Sequence, residues 1–349
     1  MVPALAVADA LSERGAAVSF AGTRDRAEAE LVPAAGYEID FLDVQGLDRR
    51  NPVKAARAAL KAAAAVRAAR GLLTARGADA VMGGGGYVAG PAGLAASRMG
   101  LPLILTEADS HLGITNRLLA PRADRVCLAF EIEGREAPRY LHTGRPVPRA
   151  ILDADRTEAR DRFGLGSEQP CLLIFGGSLG ARSINEAAAA AFAAEPGSGP
   201  RGFHVLHITG SRDHEAISES VGESPDYTVI EYLPDLGDAL AACDLALARS
   251  GGSVFELTAA GRPAVLVPYP HAAADHQRKN ARWMADAGAA RVIDDSELDA
   301  GRLQAEIPAL MQDPDRLGRM TAASRSIAKP DAADRIADQI LERARDGAR

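Results

Sequence analysis

The most constraining feature of the chain is a regular alternation of short apolar runs with helical stretches, sustained over almost its whole length. "AAVSFAG" (16–22) precedes a helical "RDRAEAELVPAAG", and "YEIDFLDV" (37–44) precedes an Ala-rich stretch over 52–76. "ADAVMGG" (78–84) runs into a helix over 87–98, "LPLILTE" (101–107) follows, and "ADRVCLAF" (123–130) closes the first half. Strands separated by helix-length connections pair in parallel, with helices covering both faces of the sheet. The segment "YLHTGRPVPRAILDADRTEARDRFGLGSEQP" breaks this rhythm with Pro146 and Pro148, so a domain boundary is expected near 146–150. The alternation then restarts at "CLLIFGGSLGARSINEAAAAAF" and continues through "HVLHITG", "TVIEYL", "CDLALARSGG" and "RPAVLVPYP". The reading is α/β: one domain over 1–147, a second over 148–328, and a C-terminal helix over 329–349 with Ile336, Ile340 and Leu341 on one face.

Composition narrows the function. A net charge of −7 and 4% aromatic residues offer neither a basic footprint nor stacking platforms for nucleic acid. Cys127, Cys171 and Cys243 are far apart and form no CxxC pair. They read as buried small hydrophobes in a reducing cytoplasm. No apolar run reaches the ~18 residues of a spanning helix, while contact with a membrane surface stays open. Arg49, Arg50, Lys54, Arg57, Lys61, Arg67, Arg70 and Arg76 occur with no acid among them. Residues 50, 54, 57 and 61 share a helical face, as a solvated surface or as one that docks on anionic lipid.

Four motifs carry chemistry. In "CLLIFGGSLGA" a buried strand ends in Gly176–Gly177–Ser178 and a helix begins near Ala181, an arrangement that favours a phosphate at the helix start. A dinucleotide fingerprint is the rival, but GxGxxG is absent. In "ARSGGSVFELTAAG" a strand ends at Arg249, and Gly251, Gly252 and Ser253 lead into a helix bearing Glu256. That carboxylate suits a ribose diol, or merely complements the helix dipole. "PHAAADHQRKNARWM" gathers His271, Asp275, His276, Gln277 and Asn280. Its spacing does not match HExxH, so amides that bond sugar hydroxyls fit better than a metal site. In "VMGGGGYVAGPAGLAA", Gly83–Gly86 end a strand and open a helix, which allows close approach of a ligand.

Taken in order, "VPALAVADAL", "GGGGYVAGPAGLAA", "GITNRLLA", "GGSLGARSIN", "RSGGSVFEL" and "DHQRKNA" resemble the MurG-type glycosyltransferases over nearly the whole chain. The resemblance implies a GT-B fold, two Rossmann-like domains with parallel sheets facing a cleft. It implies transfer of N-acetylglucosamine from its UDP donor to a lipid-linked muramyl-pentapeptide, lipid I to lipid II, in peptidoglycan synthesis at the cytoplasmic face of the cell membrane. It implies no cofactor and no metal. Gly177 and Ser178 match donor-contacting positions, and Leu233 matches the backbone that meets uracil. Gly252, Ser253, Val254 and Phe255 match the phosphate-side turn, and Arg249 beside it is expected among the donor-binding residues. Glu256 matches the ribose acid and Gln277 the sugar-reading amide, while Gly84, Gly85, Gly86 and Tyr87 fall on the acceptor side.

Three departures from the family pattern bear on chemistry. Of the usual strand and GGTxGHxxPALA start, the sequence shows only "MVPALA", so the chain is expected to be a form lacking the first strand and the His taken as base. Glu107, Asp109 and His111 are then the base candidates. The HEQN-like stretch reads "TEADS", with Asp109 in place of Asn and on the donor side. The NPVR stretch reads "RPVPR", with Pro148 at the Arg position and Arg149 or Arg145 beside it to take over the donor contact. Alternatives are a GT-B transferase with another acceptor, a catalytically silent UDP-sugar-binding protein, and a sugar-nucleotide epimerase.

Overall fold

The computed structural model describes residues 1–43, 52–177, 180–193 and 202–347, with backbone only for residues 52–62, Tyr87 and Gly347. The chain forms two compact units, Met1–Pro148 with Pro330–Arg349, and Arg149–Lys329. The first unit runs α1 (Val2–Glu13), β1 (Ser19–Gly22), α2 (Glu28–Ala34), β2 (Glu38–Phe41), α3 (Pro52–Arg76), β3 (Val81–Gly83), α4 (Gly86–Met99), β4 (Leu103–Glu107), α5 (Ile114–Leu119), β5 (Arg125–Leu128) and β6 (Tyr140–His142). The second runs α6 (Arg149–Asp153), α7 (Arg156–Arg162), β7 (Cys171–Phe175), α8 (Arg182–Phe192), β8 (His204–Ile208), α9 (His214–Val221), β9 (Tyr227–Ile230), α10 (Gly237–Ala242), β10 (Leu245–Ala248), α11 (Ser253–Ala259), β11 (Ala264–Leu266), α12 (His276–Asp286), β12 (Ala290–Val292), α13 (Ala300–Met311) and α14 (Pro314–Ile327). The last helix, α15 (Ala332–Gly347), returns to the first unit.

Among the described residues every strand pair is parallel. In the second unit the order is β12-β11-β10-β7-β8-β9. Strands β7, β8 and β10 are buried along their whole length, which is why they read as unbroken apolar runs rather than as an alternation. The chain builds outward from β7 to β9, then crosses back to β10 and builds the other way. The loops after the adjacent strands β7 and β10 therefore diverge, and such a switch point is where open α/β sheets bind ligands. Asp155, Asp299 and Asp313 cap the starts of α7, α13 and α14 with their carboxylates.

In the first unit the sheet lies in two pieces, β1-β2 and β3-β4-β5-β6. Val18, at the entry to β1, and Met82 of β3 share the core that α1 and α15 cover. Ala21 of β1 and Val81 of β3 share the core formed with α3 and α4. The two strands thus sit between the same helical layers without pairing with each other. Helix α15 packs Ile336, Ala337 and Ile340 on Val7, Ala10 and Leu11 of α1. The Arg14 guanidinium binds Asp334 at 2.8 Å and Asp338 at 3.2 Å across this contact.

Two short strands lie outside the alternation seen in the sequence. β6 spans three residues inside the proline-containing boundary segment, and β12 is an equally short edge strand. Neither is long enough for a period-2 pattern to stand out. The three cysteines are buried and free. Burial pushes the Cys127 thiol up to about 12 and the Cys243 thiol up to about 11, so both stay protonated and unreactive. Helix α3 covers the Ala-rich basic stretch. Arg76 at its end is neutralised by Asp40, 2.7 Å away, and by Glu38, both on β2. Arg67 and Arg70 are exposed. Arg49 and Arg50 and the side chains of Lys54, Arg57 and Lys61 lie outside the described residues.

Candidate active site

With all strands of the second unit parallel, the loops after β7, β8, β9, β10, β11 and β12 share one edge. The loop after β7 holds Gly176 and Gly177; Ser178 lies outside the described residues. Gly180 closes this loop with φ +75°, and a Cβ there would lie 2.0 Å from the Thr209 carbonyl oxygen, so only glycine fits. Ala181 at the start of α8 supplies no side-chain cap.

A buried polar chain fixes where α8 begins. The Asn185 amide donates to the Thr209 carbonyl at 2.9 Å and to Asp213 Oδ2 at 3.0 Å. Asn185 Oδ1 accepts from His207 Nε2 at 3.0 Å, and His207 Nδ1 accepts from the Tyr227 hydroxyl at 2.8 Å. With one ring nitrogen donating and the other accepting, the imidazole is neutral. Burial pulls its pKa down to about 3. Arg212 holds the Asp213 carboxyl below the usual carboxylate range.

The loop after β10 is strapped to α12. The Ser250 hydroxyl donates to the Gln277 carbonyl at 2.8 Å, and the Asn280 amide donates to the carbonyls of Ser250 and Gly251 at 3.0 and 3.3 Å. Glu256 is half-buried in the first turn of α11. Val254 and Phe255 are core residues, with Phe255 packed on Trp283 at 5.2 Å between centroids. These two positions can meet a ligand only through their backbone. The Gln277 amide oxygen accepts from the Tyr269 backbone N–H at 2.9 Å, and its nitrogen lies toward Gly251. Leu233 is half-buried in the loop after β9. Arg149 opens α6, where it is exposed and 3.7 Å from Asp153. Arg249 is enclosed: its guanidinium meets Asp295 Oδ1 at 2.6 Å and Ser183 Oγ at 2.8 Å.

A second group of candidates lies at the matching edge of the first unit. Gly85 and Gly86 adopt φ +83° and +79° at the start of α4, where a side chain would strain the backbone. The Thr115 hydroxyl donates to the Gly86 carbonyl at 3.2 Å, tying this loop to α5. The backbone of Tyr87 lies in the first turn of α4; its side chain lies outside the described residues. Glu107 is buried, and its carboxylate accepts from Asp109 N at 3.2 Å, Gly113 N at 2.8 Å and the Asn116 amide at 2.9 Å. Accepting from three donors, this carboxylate ties Asp109, Gly113 and Asn116 together and anchors its loop. Of the base candidates, Glu107 anchors the loop on which Asp109, half-buried, and His111, exposed, stand. An open cavity of about 620 Å³ lies by β6, lined by Glu131, Glu133, Glu136, Tyr140, His142 and Arg335, and none of the candidates lines it.

Residues 1–128 match the glycosyltransferase family 28 N-terminal domain, and residues 171–336 match its C-terminal domain. The chain belongs to glycosyltransferase family 28. Its relatives include the UDP-N-acetylglucosamine–N-acetylmuramyl-(pentapeptide) pyrophosphoryl-undecaprenol N-acetylglucosamine transferase of Moorella thermoacetica, 40% identical over 99% of this chain and 96% of that protein. The protein of the same name from Rubrobacter xylanophilus is 39% identical over 98% of this chain and 99% of its own length. The crystal structure of Acinetobacter baumannii MurG superposes with a TM-score of 0.77 at 31% identity, covering 97% of this chain and 95% of that one. A UDP-GlcNAc 2-epimerase from Neisseria meningitidis shares the fold with a TM-score of 0.69, but at 13% identity. This family 28 protein is thus a MurG-type member with the two Rossmann-like units of the GT-B fold. His207, Asp213 and Asp295 of the second unit lie in none of the sequence motifs, and Ser183 and Asn185 close the motif "GGSLGARSIN" without standing out from it as polar anchors. The one local signal is a pair of histidines in the otherwise apolar run "HVLHI".

Proposed function

We propose that this chain transfers N-acetylglucosamine from UDP-N-acetylglucosamine to a lipid-linked N-acetylmuramyl-pentapeptide, converting lipid I to lipid II with inversion at the anomeric carbon. The observation that carries the reading is the switch point of the second unit, where the loops after the adjacent strands β7 and β10 open side by side and lead off in opposite directions. Glu256 and Gln277 stand beside these loops with their positions fixed by α11 and α12. Relatives of nearly equal length that carry this transferase name support the choice of sugar and acceptor.

In this reading Glu256 accepts the ribose hydroxyls, the Leu233 backbone faces uracil and the Gln277 amide reads a sugar hydroxyl. Backbone N–H groups of Gly177, Gly252 and Ser253 face the diphosphate, whose negative charge grows as the acceptor hydroxyl attacks; Ser178 is assigned to the donor by its motif alone. Arg149 lies on the donor side. Gly84, Gly85, Gly86 and Tyr87 receive the acceptor, and Asp109 takes its hydroxyl proton. The acceptor is lipid-linked, so the enzyme works at the cytoplasmic face of the cell membrane. Among the described residues no helix is long and apolar enough to cross a membrane. Helix α5 instead exposes Ile114 and Leu118, 58% and 67% accessible, one turn apart with Arg117 and Arg122 beside them. An exposed apolar pair flanked by cations suits an anionic lipid surface.

The test is transfer of labelled sugar from UDP-N-acetylglucosamine to the lipid-linked muramyl acceptor in detergent. A labelled lipid product supports the reading. UDP binding without transfer would assign a silent binding protein, and release of an epimer without acceptor would assign an epimerase.

A further inference from the structure

Arg249 stands at the candidate donor edge, yet its charge is already committed. Nη1 donates to Asp295 Oδ1 at 2.6 Å and to the carbonyls of Val267 and Pro268 at 3.1 and 3.4 Å. Nη2 donates to Ser183 Oγ at 2.8 Å, and Ser183 Oγ donates to the same Asp295 Oδ1 at 2.8 Å. Arginine, serine and aspartate thus form a closed ring in which each touches the other two. The Arg249 side chain is only 12% accessible and that of Asp295 24%, so water screens the pair weakly. The Tyr269 ring lies 5.5 Å from the guanidinium and closes it from a further side.

The ring joins three elements that local sequence does not link, the first turn of α8, the end of β10 and the short turn after β12, and Arg249 ties a fourth, the loop after β11, to them. Its effect passes on through the loop after β11. Arg249 holds the carbonyls of Val267 and Pro268, and the next residue, Tyr269, gives its backbone N–H to Gln277 Oε1 at 2.9 Å. Five donors in a fixed fork make a guanidinium suited to pin several oxygens at set angles. A guanidinium neutralised in this way holds backbone rather than a diphosphate.

We infer that Asp295 and Ser183 are positioning residues for donor recognition: they lock Arg249, which sets the loop that orients the Gln277 amide toward the sugar. This rests on the proposed reading of Gln277 as the amide that meets the sugar. It moves Arg249 from direct donor contact to support. An amide so held discriminates donors that differ at one hydroxyl, because the wrong epimer leaves a buried polar group unpaired.

The test compares wild type with Asp295→Asn, Ser183→Ala and Ser183→Thr in the full chain. For each, kcat and KM are measured with UDP-N-acetylglucosamine and with its epimer UDP-N-acetylgalactosamine, and the inhibition constant is measured for UDP. Asp295→Asn and Ser183→Ala are expected to raise the donor KM about tenfold with smaller changes in kcat. They are expected to narrow the preference between the two donors by a similar factor, and to leave UDP inhibition within about twofold, as befits loss of one oriented contact. Ser183→Thr, which keeps the hydroxyl, is expected to stay near wild type. Unchanged donor preference in both variants overturns the inference, and so does a parallel loss of UDP inhibition and transfer, the mark of a merely structural role. Failure of the wild-type chain to use either donor would instead overturn the functional reading beneath it.

Discussion

Acid should destabilise the second unit through a single imidazole. His207 is fully buried between Tyr227 and Asn185, and burial pulls its pKa down to about 3. In the unfolded chain the ring returns to the ordinary value near 6.5. Below that pH the unfolded state takes up a proton that the folded state refuses, so this contribution is complete above about 6.5 and is lost progressively toward pH 3. Each pKa unit corresponds to about 1.4 kcal/mol. The whole window therefore carries about 4–5 kcal/mol, and roughly 2 kcal/mol is already lost at pH 5. Trp283, the one tryptophan of the chain, packs on Phe255 in this same unit. Urea unfolding followed by its emission therefore reports the unit that contains His207. The comparison is wild type against His207→Gln, which keeps polar atoms toward both partners but does not titrate. The expected result is that wild type loses about 2 kcal/mol more than the variant between pH 7 and pH 5. Should the variant be too unstable to measure, the ring proton signals of His207 in the wild-type chain give the same answer by staying unprotonated down to pH 5. Equal slopes for the two proteins, or a His207 that titrates near 6.5, would refute the reasoning.

Further outcomes follow from the same geometry. Gly180→Ala forces a Cβ to within 2.0 Å of the Thr209 oxygen at φ +75°, and strained positions of this kind cost about 1–3 kcal/mol even after relaxation. The Trp283 unfolding midpoint should fall accordingly and UDP binding should weaken, whereas an unchanged midpoint would show that the loop accommodates a side chain. Asp109→Asn should lower kcat about 10²–10⁴-fold with UDP affinity intact; a near-normal kcat moves the base elsewhere, with His111→Asn the next variant to assay. Leu118→Asp should reduce sedimentation with anionic phospholipid vesicles several-fold while transfer to a detergent-solubilised acceptor persists, and undiminished sedimentation would remove α5 from the membrane contact.

What the sequence discloses and what it conceals divide along a physical line. A strand that empties into glycines and a helix is a local event, so the loops at Gly176, Arg249 and Gly83 are visible without coordinates. So is the buried character of "CLLIF" and "DLALA", because strands covered on both faces must be apolar throughout. The partners that hold those loops are not local. Arg249 meets Ser183 from 66 residues away and Asp295 from 46. Nothing in the spacing of an arginine, a serine and an aspartate announces a closed ring. Glu107 shows the same limit from the other side. As an acid at a strand end it invites a catalytic reading, and only the approach of Gly113 and Asn116 shows its oxygens taken up in holding a loop. Arg76 looks like one more cation on a basic helix until Glu38 and Asp40 arrive from β2. In each case the residue type is legible, and its role is set by groups that only the folded sheet brings near. The chemistry of this enzyme is therefore best probed at the supporting residues: variants of Asp295, Ser183 or His207 separate how a loop is held from what it binds, which substitutions in the glycine motifs themselves do not.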